Sequence, residues 1–310
     1  GCLLERWNNL GYQNLMKRIK KLIGKKQIEL TGTAAYHPIL PLIPATEAIR
    51  QIKENEQILQ KYFGKHFKPA GFFLPEMAYG KEVAKIIKKL DYQWIILDEI
   101  AHNKKLNQAD RGKIYTDKNS GLKIIFRSRK YSNCYVPEII TSPLIKPARP
   151  TCLFGRQADM ERGWGEVITT ATDAELYGLR HEDPTAKFEK LLKNKGLKTS
   201  TISEFIKSSG ASSEKISPHP SSWESTEKEL RDGLPYALWQ DPRNKIQQAL
   251  WQLANLACQT LEKNKSDKNY ASARWHLTRG LASCAFWWAS GRDLRHVFGP
   301  IAWSPDEIDR

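Results

Sequence analysis

Two acidic residues in this chain each follow directly after an apolar, strand-like run. Glu76 follows the first run in GFFLPEMAY, and Asp173 follows a β-branched run in TTATDAELYG. Two carboxyl groups on facing strand ends could hydrolyse a glycosidic bond, because one attacks the anomeric carbon while the other donates a proton and later activates water. A proton donor needs a raised pKa, which desolvation at a half-buried strand end can supply. The sequence therefore favours Glu76 as a nucleophile and Asp173 as an acid/base.

Charged residues also follow the other apolar runs in the first two-thirds of the chain. Asp98 and Glu99 come after WIIL, and Arg127 comes after KIIF. In parallel α/β barrels the working residues lie at the carboxyl ends of different strands. The pattern therefore favours an active site at one end of a sheet, although strands in any protein tend to end in polar turns.

The elements that would position these residues alternate along the chain. We predict strands over residues 27–30, 71–74, 94–97, 123–126 and 167–172. Helices are predicted from Thr46, which can cap the first of them after Pro44, and over residues 81–90. Strands that alternate with amphipathic helices are typical of α/β proteins with a parallel sheet.

The composition changes after residue 205. Residues 206–233 are rich in Ser, Pro, Lys and Glu, which favours a linker-like segment. Beyond it, residues 243–264 and 269–290 have the apolar pattern of two long helices, which must pack on each other or on the rest of the protein. We therefore predict a catalytic domain over 1–205, a linker-like segment over 206–233, and a helical region over 234–310.

Charge and cysteine usage limit the classes of partner and cofactor. The formal net charge is +15, but no helix-turn-helix, zinc-finger or RNA-binding signature accompanies it, so a nucleic-acid partner is not expected. The five cysteines are widely spaced and form no C-x-x-C pair, which argues against a zinc site and fits a reducing, cytoplasmic compartment. No apolar run approaches the roughly 20 residues that a membrane span needs.

Three groups of motifs resemble glycoside hydrolase family 57. The segments QIELTGTAAYHPILPLIP, GFFLPEMAY with WIILDE, and TATDAELYG occur in the family's order. The resemblance implies an α/β fold, an incomplete parallel (β/α)7-type barrel followed by a C-terminal helical region. It also implies an α-glucan substrate, a retaining mechanism, and neither a cofactor nor a metal ion. The activities known in the family include α-amylase, 4-α-glucanotransferase, branching enzyme and α-galactosidase.

The resemblance assigns roles residue by residue. Glu76 matches the family's nucleophile and Asp173 its acid/base. The same matching implies substrate contacts from Glu29, His37 and Asp98, and from Trp275 and Trp287 or Trp288. From its own position in SSWEST, Trp223 is the tryptophan best suited to stack on a sugar, since flat apolar faces suit pyranose rings. The alternatives are a supporting role for Glu29, a turn role for His37, and core packing for most tryptophans.

Two departures from the family pattern lead to a second hypothesis. The family begins with a strand that ends in a His-x-His-Gln-Pro type motif, and nothing like it is present, so we expect a truncated chain that lacks the first barrel strand. In addition, Leu179 and Arg180 stand where the family has two histidines after the acid/base. The alternative function is therefore that of a carbohydrate-binding relative without catalysis. The sequence does not specify an oligomeric state.

Overall fold

The computed structural model describes residues 2–110, 112–132, 167–174, 186–193, 198–210 and 213–290. In this part of the chain the helices are α1 (Cys2–Asn9), α2 (Gln13–Gly24), α3 (Ala45–Phe63), α4 (Lys81–Lys89), α5 (Arg129–Ser132), α6 (Lys187–Leu192), α7 (Ile202–Ser208), α8 (Glu227–Arg231), α9 (Lys245–Lys263), α10 (Tyr270–Gly280) and α11 (Ser283–Trp288). The strands are β1 (Gly71–Phe72), β2 (Trp94–Asp98), β3 (Tyr115–Asp117), β4 (Lys123–Arg127) and β5 (Glu214–Ile216).

Within the described residues these strands form a single mixed sheet in the order β1-β2-β4-β3-β5. β1, β2 and β4 are mutually parallel, whereas β3 turns back antiparallel to β4 and β5 pairs in parallel with β3. The parallel pairing of β1 with β2 agrees with the predicted alternation of strands and helices, since α3 precedes β1 and α4 connects β1 to β2. As a result, Glu76, Asp98 and Arg127 all lie at the carboxyl end of the parallel strands.

The chain before β1 departs from the prediction. Residues 27–30 form no strand, and the contact with the sheet is a single parallel bridge between Gly32 and Phe72. A Cβ atom on residue 32 would lie 2.1 Å from the hydroxyl oxygen of Tyr92. Glycine at this position therefore lets the backbone approach β1, and the strand prediction was placed a few residues too early.

The helices on the sheet follow their apolar periodicity. α3 buries Ile52, Leu59 and Phe63, and α4 buries Val83 and Ile87, as the spacing predicts. The proposed Thr46 cap is wrong, because α3 begins at residue 45 with Pro44 in the cap position and without a side-chain cap hydrogen bond.

Three further predictions need correction. Residues 167–172 form no strand, although the Ser128 amide donates to the carbonyl of Thr169 at 2.9 Å. The described part of 206–233 is not a free linker, since it contains β5 and α8, and Ser221 forms a bridge with Tyr79. The helix predicted over 269–290 is broken at Leu281 and Ala282 into α10 and α11.

The C-terminal helices share one apolar core with the sheet. Trp239, Trp251 and Phe286 belong to the same buried cluster as Phe72 and Ile95. The ring of Trp251 stacks on that of Phe286 with 3.8 Å between their centroids. This packing supplies the burial that the apolar helices were expected to need. None of the described helices is both long and apolar enough to cross a membrane.

Candidate active site

Glu76 lies in a tight turn directly after β1. Its backbone has φ 56° and ψ 16°, and the next residue, Met77, has φ 49°. Residues other than glycine rarely adopt this left-handed region, and they remain there only where the surroundings enforce it. Met77 is buried in a packed cluster with Trp94 and Ile125. Backbone strain of this kind is often found at functional sites, and here it affects two consecutive residues, Glu76 and Met77.

Three side chains from distant parts of the chain contact the Glu76 carboxylate. The Trp223 indole N–H donates to Oε2 at 2.7 Å, and the Ser283 hydroxyl donates to Oε1 at 3.0 Å. Nε2 of His37 lies 3.3 Å from the same Oε1 atom. The Glu76 side chain is 18% exposed, and that of His37 is 46% exposed. The carboxylate is therefore held in one orientation and is still reachable from solvent.

Backbone hydrogen bonds fix these partners around the turn. The Trp223 amide donates to the carbonyl of Glu76 at 3.1 Å, and the Ser283 amide donates to the carbonyl of His37 at 3.1 Å. His37 itself has a left-handed backbone, with φ 58°. The site is therefore assembled from four separate segments whose main chains are hydrogen-bonded in two pairs.

Ser283 is the functional candidate that sequence reasoning missed. It is the first residue of α11, it is 1% exposed, and its hydroxyl points to Glu76. Serine is a common residue at the start of a helix, so its type gave no signal of this contact. The break between α10 and α11, which brings Ser283 to this position, was not visible in the apolar pattern either.

The structure gives Trp223 a different contribution from the one predicted. Its ring packs at 6.2 Å from the ring of Phe73, edge to face, and the Arg127 guanidinium lies 5.0 Å from its centroid. The ring is only partly exposed. Trp223 therefore donates a hydrogen bond to Glu76, and its ring packs between Phe73 and Arg127. Stacking on a sugar would need an open ring face.

Asp98 is engaged by two arginines. Its carboxylate accepts from Nε of Arg127 at 2.8 Å, from Nη2 of Arg129 at 2.8 Å, and from the Ile100 amide at 3.1 Å. The side chain is 1% exposed. The ion pair between Asp98 and Arg127 joins the carboxyl ends of β2 and β4. Removing one partner of a buried pair leaves an uncompensated charge, so the cluster is expected to matter for stability. The contacts of Asp98 are internal, which does not match the substrate contact that the resemblance implies.

The backbone two residues before Asp173 is connected to the Glu76 site through Arg127. Nη1 of Arg127 donates to the carbonyl of Ala171 at 2.7 Å, two residues before Asp173. The same guanidinium packs on Trp223, the donor to Glu76. Asp173 is half-buried. The residues after Ala174 through 185, which include Leu179 and Arg180, lie outside the described part of the chain.

The remaining predicted contact residues are dispersed. The Glu29 carboxylate accepts from the amide and hydroxyl of Ser203 at the start of α7, and that hydroxyl also accepts from the Trp94 indole at 3.0 Å. This arrangement corresponds to the supporting alternative for Glu29. Trp287 is partly buried against the main core. Trp275 on α10 is 52% exposed.

Metal-ligand clusters and surface grooves are the other places where a ligand could bind. In the described ranges, no group of three or more His, Cys, Asp or Glu side chains is arranged to hold a metal ion. An open groove lies at the opposite, amino end of the strands, where residues before β1 and β2 form its wall, including Phe67, Pro69 and Tyr92. That groove contains none of the predicted site residues.

The sequence model of glycosyl hydrolase family 57 matches residues 1–218, and the chain belongs to this family. Alpha-amylase 1 from Dictyoglomus thermophilum is 26% identical over 93 residues, a stretch that covers 30% of this chain and 13% of that protein.

Two solved structures show the same fold. A family 57 branching enzyme from Thermococcus kodakaraensis superposes with a TM-score of 0.67 at 18% identity, over 93% of this chain and 66% of that one. The 4-alpha-glucanotransferase from Thermococcus litoralis superposes with a TM-score of 0.61 at 14% identity, over 92% of this chain and 46% of that one. The similarity confirms the predicted α/β fold class, which is related to the incomplete (β/α)7-type barrel with a C-terminal helical region. The described sheet is mixed and not wholly parallel as predicted, because β3 runs antiparallel to β4. The chain spans about two thirds or less of these relatives.

Proposed function

We propose that this chain is a retaining hydrolase or transglycosylase for α-glucans, in which Glu76 is the nucleophile and Asp173 the acid/base. The observation that carries the proposal is the Glu76 carboxylate, which follows β1 in a strained turn and is oriented by Trp223, Ser283 and His37. A carboxylate that must attack one carbon atom benefits from being held in a reactive geometry.

The proposed reaction has two steps. In the first, a Glu76 oxygen forms a bond to the anomeric carbon while the glycosidic C–O bond breaks and Asp173 protonates the leaving oxygen. In the second, Asp173 removes a proton from water or from a sugar hydroxyl, which attacks the anomeric carbon and releases Glu76. The half-exposed His37 is suited to hydrogen-bond a hydroxyl of the sugar next to Glu76.

The substrate class is supported by the relatives. The similar proteins are named as an alpha-amylase, a branching enzyme and a 4-alpha-glucanotransferase. These names share α-glucans as the common substrate class and differ in the acceptor, so the proposal includes both water and a sugar as acceptors.

The test compares Glu76→Gln with Glu82→Gln. Glutamine keeps the size of the side chain and removes the nucleophilic charge, whereas Glu82 is an exposed helix residue paired with Lys85. Reducing-sugar release and chain-length redistribution are measured with maltoheptaose. Glu76→Gln should lose more than about a thousandfold in kcat, while Glu82→Gln should match the unmodified protein. Equal activity of Glu76→Gln and the unmodified protein would disprove the assignment.

The second candidate is a carbohydrate-binding relative without catalysis. It is favoured by Leu179 and Arg180 at the positions where the family has two histidines. The same assay separates the two functions when it is paired with calorimetry. Maltoheptaose binding without turnover in the unmodified protein supports the second function, and turnover that depends on Glu76 supports the first.

A further inference from the structure

Arg127, the last residue of β4, is buried between three groups near the active site. Its Nε atom donates to Oδ2 of Asp98 at 2.8 Å, and its Nη1 atom donates to the carbonyl of Ala171 at 2.7 Å. Its guanidinium carbon lies 5.0 Å from the ring centroid of Trp223, within the range of a cation–π interaction. Only 4% of Arg127 is exposed, so the side chain supports its neighbours and has little surface to offer a substrate.

The contact with Trp223 leads to the nucleophile. The Trp223 indole N–H donates to Oε2 of Glu76, and the Trp223 amide donates to the Glu76 carbonyl. Because the guanidinium packs on the indole ring, it limits the rotation of the group that carries this N–H. A change at Arg127 therefore reaches the Glu76 carboxylate through Trp223.

The contact with Ala171 leads to the proposed acid/base. Ala171 precedes Asp173 by two residues, and its amide donates to Oγ of Ser132 on α5 at 3.2 Å. Ala171 also packs against the apolar cluster that contains Met77, the second residue of the strained turn. These contacts and the hydrogen bond from the guanidinium attach the backbone that leads to Asp173 to the end of β4.

We propose that Arg127 is a positioning residue that sets the separation of the nucleophile and the acid/base, because one guanidinium holds both the Trp223 ring and the Ala171 carbonyl. The proposal rests on the proposed function, in which Glu76 and Asp173 have these two roles. Retention requires the two carboxyl groups to lie about 5–5.5 Å apart. A misplacement of about 1 Å costs on the order of a hundredfold in rate, so a group that ties the two supporting segments together acts on catalysis.

The test replaces the guanidinium by an ammonium group of the same charge. Arg127→Lys keeps a cation for Asp98, which also retains its pair with Arg129, so the buried carboxylate is not left unpaired. A lysine side chain has no planar fork, so it does not hold the Ala171 carbonyl and the Trp223 ring at the same time. If Arg127 served only as an ion-pair partner, lysine would preserve its function.

Two substrates separate the two contacts, and kcat/KM reports the first step for both. The sugar that leaves maltoheptaose needs a proton from the acid/base, whereas the fluoride that leaves α-maltosyl fluoride needs little help from an acid. Arg127→Lys should lower kcat/KM about a hundredfold with maltoheptaose and about tenfold with α-maltosyl fluoride, at nearly unchanged KM. Trp223→Phe, which alters the Glu76 side alone, should lose the same factor with both substrates.

A control and a second variant accompany this measurement. Arg274→Lys is the matched control, since Arg274 pairs with the buried Glu47 at 2.6 Å and its side chain is 12% exposed. It should change kcat/KM for neither substrate. Ser132→Ala removes the hydroxyl that accepts from the Ala171 amide and leaves the guanidinium in place. It should lower kcat/KM about tenfold with maltoheptaose alone, which tests the link to the acid/base even if Arg127→Lys does not fold.

Three results would overturn the positioning role. The first is activity of Arg127→Lys within about twofold of the unmodified protein. The second is an equal loss with both substrates in Arg127→Lys or Ser132→Ala, and the third is a raised KM at unchanged kcat, which indicates a substrate contact. Failure of the proposed function is distinguishable, because it would show as absent turnover in the unmodified protein or as full activity of Glu76→Gln, and it would remove the positioning role with it.

Discussion

Two hydrogen-bond donors fix the orientation of the Glu76 carboxylate. Trp223 and Ser283 each donate to a different oxygen, so the two atoms of the carboxylate are distinguished by their partners. Both donors are uncharged, and both come from segments far from β1 in sequence. Hydrogen bonds to charged groups are worth more than those between neutral groups, so either donor should have a measurable effect on catalysis.

Trp223→Phe removes the indole N–H and keeps an aromatic ring against Phe73 and Arg127. We expect kcat for maltoheptaose to fall by roughly ten- to a hundredfold, because a hydrogen bond to a charged group contributes about 1.5–3 kcal/mol. KM should change little. Trp7→Phe, a substitution of a partly buried tryptophan in the separate cluster of α1 and α2, is the matched control. A Trp223→Phe protein with unchanged kcat would show that the donor is dispensable.

Asp98→Asn tests whether Asp98 contacts substrate or joins strands. The variant leaves the buried Arg127 and Arg129 without their charge partner. We expect a loss of about 3 kcal/mol in the free energy of unfolding, measured by urea denaturation, with the exposed Asp91→Asn as the control. A substrate contact would instead raise KM at unchanged stability, and that result would refute the structural role.

At the scale of elements, the packing at the end of β2 predicts a pH response. His102 follows β2 and lies 5.5 Å from the ring of Tyr115 and 5.7 Å from that of Phe126. Burial is the main cause that lowers its pKa, and burial also lowers that of His219. Below about pH 6.5 the unfolded chain therefore binds protons that the folded chain does not, so stability falls as the pH decreases.

The measurement is the melting temperature between about pH 8 and pH 5. The unmodified protein should lose stability as the pH falls through this window, and His102→Gln should lose less. The double variant with His219→Gln should show the smallest dependence on pH. If the melting temperatures of the three proteins depend on pH with the same slope, these two partly buried histidines are not the source of the pH response.

The sequence predicts some elements far better than others. β2 and β4 are long, β-branched and buried, so apolar runs located them to within one residue. The 27–30 strand failed because the contact with β1 is made by Gly32, which has no apolar side chain to reveal it. The linker-like reading of 206–233 failed because β5 and the Trp223 loop are held by backbone hydrogen bonds, which polar residues form as readily as apolar ones.

The candidate site shows the same limits. Glu76 was named because an apolar strand leads to it, His37 was named through the resemblance, and Trp223 was named from its position in SSWEST. Their meeting at one carboxylate depends on tertiary contacts over more than a hundred residues of chain, which no local pattern encodes. The position of Ser283 depends on the break after α10, and its contact with Glu76 was therefore not predicted.

At the scale of the whole molecule, the site joins the sheet to the helical region. Glu76 and His37 come from the N-terminal part of the chain, whereas Trp223 and Ser283 come from beyond residue 205. Buried Gln247 on α9 donates to the carbonyls of Leu238 at 2.8 Å and Phe286 at 2.9 Å. The helical region therefore contributes Ser283 to the surroundings of Glu76 as well as covering apolar surface.

A retaining nucleophile forms a covalent bond with the sugar, so a direct measurement on Glu76 is to locate that bond. The protein is incubated with a 5-fluoro-α-maltosyl fluoride. With this reagent the glycosyl-enzyme forms faster than the glycosyl-enzyme is hydrolysed, so it accumulates. The protein is then digested and its peptides are analysed by mass spectrometry. We expect the added sugar on the peptide that contains Glu76, and no added sugar in the Glu76→Gln protein. A sugar attached to another carboxylate, or turnover without any attached sugar, would contradict this expectation.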